Sequence, residues 1–212
     1  MFWLKKIFLL YCFVIAASDL SAQNNDEKTI LFMGNSLTAG FGLDPSEAFP
    51  ALIGEKIKSA GMNFKVIAAG LSGETTTSGL RRIDWLFKQK VDVLVLELGG
   101  NDGLRGITLK LTKQNLQDMI DKARTYNPKI RVILAGMEVP PNMGDTYTAE
   151  FRKMYPELSK KNNVTLIPFL LEGVGDRPEL NQRDGIHPTA EGHVIVAETV
   201  WKYLKPVLQS MR

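Results

Sequence analysis

Short apolar runs alternate along the chain with longer stretches in which apolar residues recur every three or four positions. The apolar runs occupy residues 29–33, 64–68, 91–98, 130–135 and 164–169. Their length and their β-branched residues are typical of β-strands. The run at 91–98 is apolar at nearly every position, which indicates a central parallel strand that is buried on both faces.

The stretches between these runs carry apolar residues at helical spacing. Helices are predicted at about 46–60, 75–89, 108–126, 146–161 and 189–208. Strands that alternate with helices form right-handed βαβ units, whose helices cover both faces of a parallel sheet. The pattern therefore predicts an α/β fold, namely a three-layer α/β/α flavodoxin-like sandwich with a five-stranded parallel sheet.

The N-terminal segment has a different pattern from the rest of the chain. Lys5 and Lys6 precede an apolar run at 7–17, and small residues follow it up to Ala22. A basic start, about 7–15 apolar residues and a small-residue exit are typical of a secretory signal peptide. The run is shorter than the roughly 20 apolar residues that a membrane-spanning helix needs. We therefore expect residues 1–22 to be a signal peptide.

Cleavage after Ala22 would leave a single domain at 23–212 with no transmembrane segment. The mature protein would then be exported to the periplasm or the medium. Cys12, the one cysteine of the chain, lies within the expected signal peptide. The mature chain would therefore have no disulfide, no thiol nucleophile and no cysteine ligand for a metal.

Composition argues against several other kinds of site. The chain has 26 Lys and Arg against 23 Asp and Glu, with no long run of one sign, which argues against a nucleic-acid-binding surface. Two histidines without cysteine are too few for a zinc site, so no metal is expected. Neither GxxxxGK[ST] nor GxGxxG follows the first strand, so no nucleotide cofactor is expected. The pattern predicts no particular oligomeric state.

Small and polar residues follow the predicted strands, where ligand sites of open parallel sheets lie. The first strand runs into GNSLTAG (34–40), the second into SGETT (72–76) and the third into GGND (99–102). After the fifth strand, a loop leads to DGIHP (184–188). The four blocks should therefore meet at one edge of the sheet.

The residues in these blocks suit acyl transfer. Ser36 is a candidate nucleophile, which needs a base to remove its proton. His187 is the best candidate for that base, since its imidazole titrates near neutral pH. Asp184 precedes His187 by three residues, a spacing that brings both side chains to one face of a helical turn. Pro188 restricts His187 to extended geometry and favours a defined turn.

A tetrahedral intermediate also needs hydrogen-bond donors for its oxyanion. The backbone N–H groups of Ser36 and Gly73 and the side-chain amide of Asn101 are the candidates. Other interpretations compete with these roles. Ser36 could be a helix N-cap, and Asn101 and Asp102 could cap the helix that follows them. The second histidine, His193, is expected to pack or to face solvent.

Taken together and in this order, the four blocks resemble those of the SGNH (GDSL) hydrolase family. The resemblance extends over residues 29–205 and is strongest to the periplasmic bacterial acyl-CoA thioesterases, lysophospholipases and arylesterases. It implies a serine hydrolase that cleaves small acyl esters or thioesters through an acyl-enzyme on Ser36. Asn35 is a departure, because the family has Asp before the serine. The amide keeps the shape and the hydrogen-bonding ability but loses the charge, and we expect activity to survive this change.

Several apolar residues lie in the loops beyond the third and fourth strands. We expect them to line an acyl groove beside Ser36, although ordinary loop packing is the alternative. These residues are Leu104, Ile107, Met137, Pro140, Pro141 and Met143. Two other functions compete. A carbohydrate O-acetyl esterase would use the same fold with a shallow polar pocket, and a non-catalytic envelope binding protein would show no turnover.

Overall fold

The computed structural model describes residues 27–211 of the chain. The expected signal peptide at 1–22, its cleavage site and Cys12 lie outside the described residues. Between residues 27 and 211, no helix has the length and apolar character needed to cross a membrane.

The described chain forms one sheet of five parallel strands. These are β1 (Lys28–Gly34), β2 (Phe64–Gly70), β3 (Val93–Glu97), β4 (Arg131–Ala135) and β5 (Thr165–Ile167). Their order in the sheet is β2-β1-β3-β4-β5, which is the flavodoxin-like order. The predicted α/β fold with a five-stranded parallel sheet is therefore confirmed.

Seven α-helices lie within the described residues. They are α1 (Ser36–Ala39), α2 (Phe49–Ser59), α3 (Thr76–Leu86), α4 (Gly100–Leu104), α5 (Leu109–Tyr126), α6 (Asp145–Asn162) and α7 (Ala190–Gln209). Helix α2 packs with α7, whereas α3 packs with α5 and α5 with α6, which gives the two helical layers. Each of the five predicted helices has its counterpart in a long helix. Helices α1 and α4 are too short to give a periodic pattern and were not predicted.

The predicted helix at 46–60 is divided in the structure. A 3-10 turn covers Pro45–Glu47, and α2 begins only at Phe49. Ala48 separates them because its backbone is extended, with φ −68° and ψ 144°. Ala48 is the N-cap of α2 but has no side-chain acceptor for the free N–H groups of the first turn.

His193 on α7 supplies the missing acceptor. Its Nδ1 atom accepts a hydrogen bond from the Phe49 N–H at 3.2 Å, and its ring stacks on that of Phe49. Its side chain is buried, so of the two expectations, packing or facing solvent, packing is correct. Burial, followed by the charge of His187, lowers the pKa of His193 to about 4. The neutral ring that this cap requires is therefore the stable form at neutral pH.

The core is centred on β1 and β3. Every residue of Ile30–Met33 and of Val93–Leu96 is buried, as expected for parallel strands covered on both faces. The strand order reverses between these two strands. In open α/β sheets, the crevice beyond such a reversal is where ligands bind.

Candidate active site

Ser36 and Asn101 lie on the two sides of the crevice beyond the carboxyl ends of β1 and β3. Ser36 is the first residue of α1, two residues after Gly34, the last residue of β1. Asn101 lies in α4, which follows β3. Both residues contact one cavity of about 510 Å³.

Ser36, His187 and Asp184 form a hydrogen-bonded series. The Ser36 Oγ atom lies 2.8 Å from His187 Nε2, and His187 Nδ1 lies 2.7 Å from Asp184 Oδ2. The three side chains thus have the geometry of a nucleophile, a base and a carboxylate that orients the base.

Asp184 and His187 approach each other in a turn, whereas the sequence suggested a helical turn. Asp184 Oδ1 accepts hydrogen bonds from the backbone N–H groups of Ile186, at 2.9 Å, and His187, at 3.0 Å. The same carboxylate therefore closes the turn and holds the imidazole. The His187 backbone N–H, the imidazole and then the Ile186 N–H lower the pKa of Asp184 to about 2.

Gln182 connects the histidine loop to the serine loop. Its Nε2 atom donates to the carbonyl of Phe41 at 2.7 Å and to the carbonyl of Pro188 at 3.0 Å. Phe41 in turn packs its ring against His187, with centroids 4.6 Å apart. These contacts fix the distance between the two loops. Sequence analysis did not identify Gln182, because no motif in the neighbouring sequence predicts a side chain that connects the two loops.

Asn35, and not Ser36, is the N-cap of α1. Its Oδ1 atom accepts from the Leu37 N–H at 2.9 Å and lies 3.4 Å from Ser36 Oγ. The alternative interpretation of Ser36 as a helix cap is therefore wrong. Because Ser36 is the first helical residue, its own N–H has no partner within the helix.

Gly73 and Asn101 lie together on the other side of the crevice. Gly73 has a φ of +78°, which favours glycine, and its carbonyl accepts from Arg105 Nη2 at 3.1 Å. The Asn101 Nδ2 atom donates to the Glu74 carbonyl at 2.9 Å. A primary amide has two N–H groups, so one remains for a ligand.

Asp102 accepts a hydrogen bond from the first turn of a different helix from the one proposed. Its Oδ2 atom accepts from the Thr76 N–H at 2.8 Å, at the start of α3. The idea that Asn101 and Asp102 cap the helix that follows them is wrong, because both lie inside α4. The Asp102 contact joins α4 to α3, which begins two residues after Glu74.

A partly buried ion pair lies next to Gly73. Glu74 is 3% exposed, and Arg82 Nε donates to its Oε1 atom at 2.5 Å. The guanidinium also donates to the Ala69 carbonyl at 2.7 Å and the Gly34 carbonyl at 3.3 Å, at the ends of β2 and β1. Sequence analysis missed this pair, although the acidic residue in SGETT was a visible signal.

The cavity beside Ser36 has mainly apolar walls. Of the residues predicted for an acyl groove, Leu104, Met137, Pro140 and Pro141 line it, together with Val139, Phe169, Leu171 and Ile186, which were not predicted. Ile107 and Met143 are not among the lining residues. The Ile107 carbonyl accepts from the Tyr147 hydroxyl, and Met143 packs against the core. Glu138 and Arg152 form an ion pair in the cavity wall.

The described part of the chain, residues 27–211, contains no cluster of three or more His, Cys, Asp or Glu side chains that could hold a metal ion.

Comparison with known proteins gives consistent matches. The model of the GDSL-like Lipase/Acylhydrolase family matches residues 32–195. Esterase TesA of Pseudomonas aeruginosa is 37% identical over 97% of this chain and 100% of its own length. Thioesterase 1/protease 1/lysophospholipase L1 of Escherichia coli is 38% identical over 85% of each chain. The structure of esterase EstA from Pseudoalteromonas, inhibited by monoethylphosphonate, has a TM-score of 0.81 and 30% identity over 86% of this chain and 99% of its own.

Proposed function

The chain belongs to the GDSL-like lipase/acylhydrolase family and is an acyl ester hydrolase, and we propose that it works through a covalent acyl-enzyme on Ser36. The family match confirms the resemblance seen in the four sequence blocks. The observation that carries the proposal is the series Ser36–His187–Asp184, with contacts of 2.8 Å and 2.7 Å, beside an apolar cavity.

In the first half-reaction, His187 Nε2 accepts the Ser36 proton while Ser36 Oγ forms a bond to the ester carbonyl carbon. The carbonyl π electrons move to the oxygen and give a tetrahedral oxyanion. The N–H groups of Ser36 and Gly73 and the free amide hydrogen of Asn101 are the proposed donors to it. Removal of one such donor commonly lowers kcat by about 10²–10³-fold.

Collapse of this intermediate breaks the bond to the leaving oxygen or sulfur, which takes the proton from His187. The acyl group stays on Ser36. A water molecule then attacks the acyl carbon while His187 accepts its proton, and the same steps in reverse release the acid and restore the Ser36 hydroxyl. Asp184 stays ionised throughout and stabilises the imidazolium that forms in each half-reaction.

The cavity supports a small-molecule substrate with an apolar acyl chain. Leu104, Met137 and Pro140 line the same cavity as Ser36 and give it apolar surface. The relatives carry the names esterase, thioesterase and lysophospholipase, which fits oxygen and sulfur esters of such acids. We therefore propose acyl esters or thioesters of medium chain length as substrates.

We also propose export of the protein, with residues 1–22 as the signal peptide and 23–212 as one hydrolase domain. The sequence of the N-terminal segment supports this proposal. Expression of the full chain in a Gram-negative host tests it, because the mass of the exported protein identifies the cleaved bond. A full-length mass in the cytoplasmic fraction alone would contradict export.

Fluorophosphonate labelling tests the catalytic proposal directly. Such a reagent forms a covalent bond only with an activated serine hydroxyl. We expect one adduct per chain, which peptide mass spectrometry assigns to Ser36, and parallel loss of p-nitrophenyl ester hydrolysis. Full labelling of another serine, or hydrolysis that survives labelling of Ser36, would contradict the proposal.

A further inference from the structure

A buried carboxylate lies next to the proposed nucleophile, and the mechanism above makes no use of it. Glu97, the last residue of β3, is 1% exposed and pairs in register with Gly34 of β1. A Cβ atom at position 34 would lie 2.4 Å from Oε2 of Glu97. Glycine at 34 therefore leaves the space that the Glu97 carboxylate occupies, one residue before Asn35.

The hydrogen-bond donors to this carboxylate belong to residues that flank Ser36. Glu97 Oε2 accepts from the Asn35 backbone N–H at 3.0 Å and from Thr38 Oγ1 at 2.8 Å. Glu97 Oε1 accepts from the Asn35 side chain, Nδ2, at 2.7 Å. Glu97 thus contacts the residue before the nucleophile and the second residue after it.

These contacts permit only one orientation of the Asn35 amide. Its Nδ2 end must face the Glu97 carboxylate, because the Oδ1 end would place two acceptors against each other. With Nδ2 on Glu97, Oδ1 accepts the Leu37 N–H and lies 3.4 Å from Ser36 Oγ. The carboxylate therefore determines which atom of Asn35 faces the nucleophile and the first turn of α1.

We propose that Glu97 is a positioning residue for the nucleophile, which acts through the Asn35 amide to hold the start of α1, and with it Ser36 Oγ, in line with His187. The proposal rests on the proposed function, since it takes Ser36 as the nucleophile. Above about pH 7, where Glu97 is ionised, the pair of Asn35 and Glu97 carries one negative charge and needs no shared proton. An aspartate at position 35 would place two carboxylates in contact, and one of them would have to hold a proton.

The ionised form of Glu97 lowers the stability of the folded protein, which argues against a purely structural role for this carboxylate. Burial raises the pKa of Glu97 to about 7 from an ordinary value of 4.5, although the hydrogen bonds from Thr38 and Asn35 oppose the shift. Between these two pH values the folded state binds a proton more readily than the unfolded state, so ionisation of Glu97 lowers the stability as the pH rises. Groups whose pKa is perturbed in this way concentrate at functional sites.

The charged and titratable groups near Glu97 bind other partners, so Asn35 and Thr38 are the residues that hold its carboxylate. Arg82, on α3, reaches the Gly34 carbonyl but is paired with Glu74. Asp102, on α4, accepts from Thr76, and the Tyr155 hydroxyl, on α6, donates to the Leu98 carbonyl at 3.0 Å. Among residues 27–211, no ion pair includes Glu97.

Exchange of the amide and the carboxylate tests the proposal with nearly isosteric variants. Glu97→Gln places an amide N–H₂ against the Asn35 amide, and Asn35→Asp places a carboxylate against Glu97. The double variant Asn35→Asp/Glu97→Gln reverses the pair. In the double variant, the oxygen of the new amide at position 97 accepts from the backbone N–H of residue 35 and from Thr38. The nitrogen of that amide donates to the new carboxylate at position 35, so every donor has an acceptor again.

We expect each single variant to lower kcat at about pH 8 by roughly tenfold or more, with little change in KM, because a misplaced nucleophile slows chemistry more than binding. The Asn35→Asp variant should approach the wild-type rate at about pH 6, where the two carboxyl groups share a proton. The double variant should recover most of the lost kcat at about pH 8. A residue that only supports the fold would lower the melting temperature without this pH-dependent loss and recovery.

Asp92→Asn is the matched control. Asp92 is another buried carboxylate, next to the opposite end of β3, and it accepts from the Thr29 N–H at 2.9 Å. Its loss should change stability alone and leave the pH profile of kcat unchanged. Single variants with wild-type kcat at about pH 8, or a double variant no better than the singles, would overturn the proposal. Absence of hydrolysis by the wild type would overturn the proposed function as well, so the two failures are distinguishable.

Discussion

The Nε2 atom of His187 lies 2.8 Å from the Oγ atom of Ser36, although 151 positions separate the two residues in the chain. Ser36 follows strand β1, whereas His187 lies in the turn that Asp184 closes before α7. Gln182 bridges the two loops through the carbonyls of Phe41 and Pro188. The distance between base and nucleophile is therefore set by backbone contacts on both sides.

Ser36→Ala should abolish ester hydrolysis and leave the fold intact. Because the change removes the proposed nucleophile, turnover should fall by about 10⁴-fold or more. Because it removes only one partly buried oxygen atom, the fold should be kept. The melting temperature should change little. Ser46→Ala is the control, since the Ser46 hydroxyl lies on the surface and contacts Asp44 at 2.6 Å. Turnover of p-nitrophenyl butyrate by the Ser36 variant within a few-fold of wild type would refute the assignment.

Replacement of His187 should lower kcat, whereas replacement of His193 should lower the melting temperature. His187→Ala should lower kcat by about 10⁴-fold because it removes the general base. His193→Ala should lower the melting temperature, because the Phe49 N–H loses its buried acceptor, while kcat of the folded protein stays near wild type. Asp184→Asn should resemble the His187 variant in kcat. Equal kcat losses from the two histidine variants would show that the base is misassigned.

The order of strands and helices followed from periodicity alone, because the long elements each show a clear apolar pattern. The four blocks also indicated which residues would meet, since the ends of parallel strands share one edge of the sheet. The pairing of Glu97 with Asn35 was not predictable, because it depends on the register of β1 against β3. Nor was the Phe49–His193 contact, which depends on how α7 packs against α2.

Arg82→Lys should slow catalysis by disturbing the Gly73 loop. Lysine keeps the charge opposite Glu74 but lacks the forked guanidinium that also binds the Ala69 and Gly34 carbonyls. We expect kcat to fall by about tenfold, since the proposed oxyanion donor moves relative to Ser36. Arg81→Lys, at the exposed neighbouring position, is the matched control. Steady-state kinetics with equal kcat for both variants would argue against a role of the ion pair in catalysis.

The His193 cap should contribute to acid denaturation. Its pKa is about 4 in the folded protein against 6.5 for an ordinary histidine, so the unfolded state binds the proton more readily between these values. The stability that the neutral ring provides is thus present above about pH 6.5 and lost as the pH falls toward 4, with an upper limit of about 3 kcal/mol.

Urea unfolding of the wild type and of His193→Asn across this range measures the effect. The difference in the free energy of unfolding between the two proteins should shrink as the pH falls from about 7 to about 4, since asparagine keeps an acceptor and has no charge to gain. The comparison cancels the opposite slope that the raised pKa of Glu97 gives to both proteins. A difference that does not depend on pH would contradict a buried neutral His193.

The last prediction concerns the substrate. If the acyl chain lies in the cavity of about 510 Å³ beside Ser36, each buried methylene should raise kcat/KM by up to about fourfold. The rise should continue over several carbons and stop when the chain outgrows the cavity. Leu104→Asp should flatten this profile and leave acetate hydrolysis nearly unchanged, because Leu104 lines the cavity and holds no proposed catalytic group.

Leu111→Asp is its control, because Leu111 is 45% exposed against 42% for Leu104 and lies on α5 outside the cavity lining. The same charge added there should leave the chain-length profile unchanged. A wild-type profile that falls from acetate onward would favour the carbohydrate O-acetyl esterase over the acyl hydrolase proposed here, since a polar acetyl pocket excludes longer chains. A rising profile that both variants share would instead place the acyl chain elsewhere on the surface.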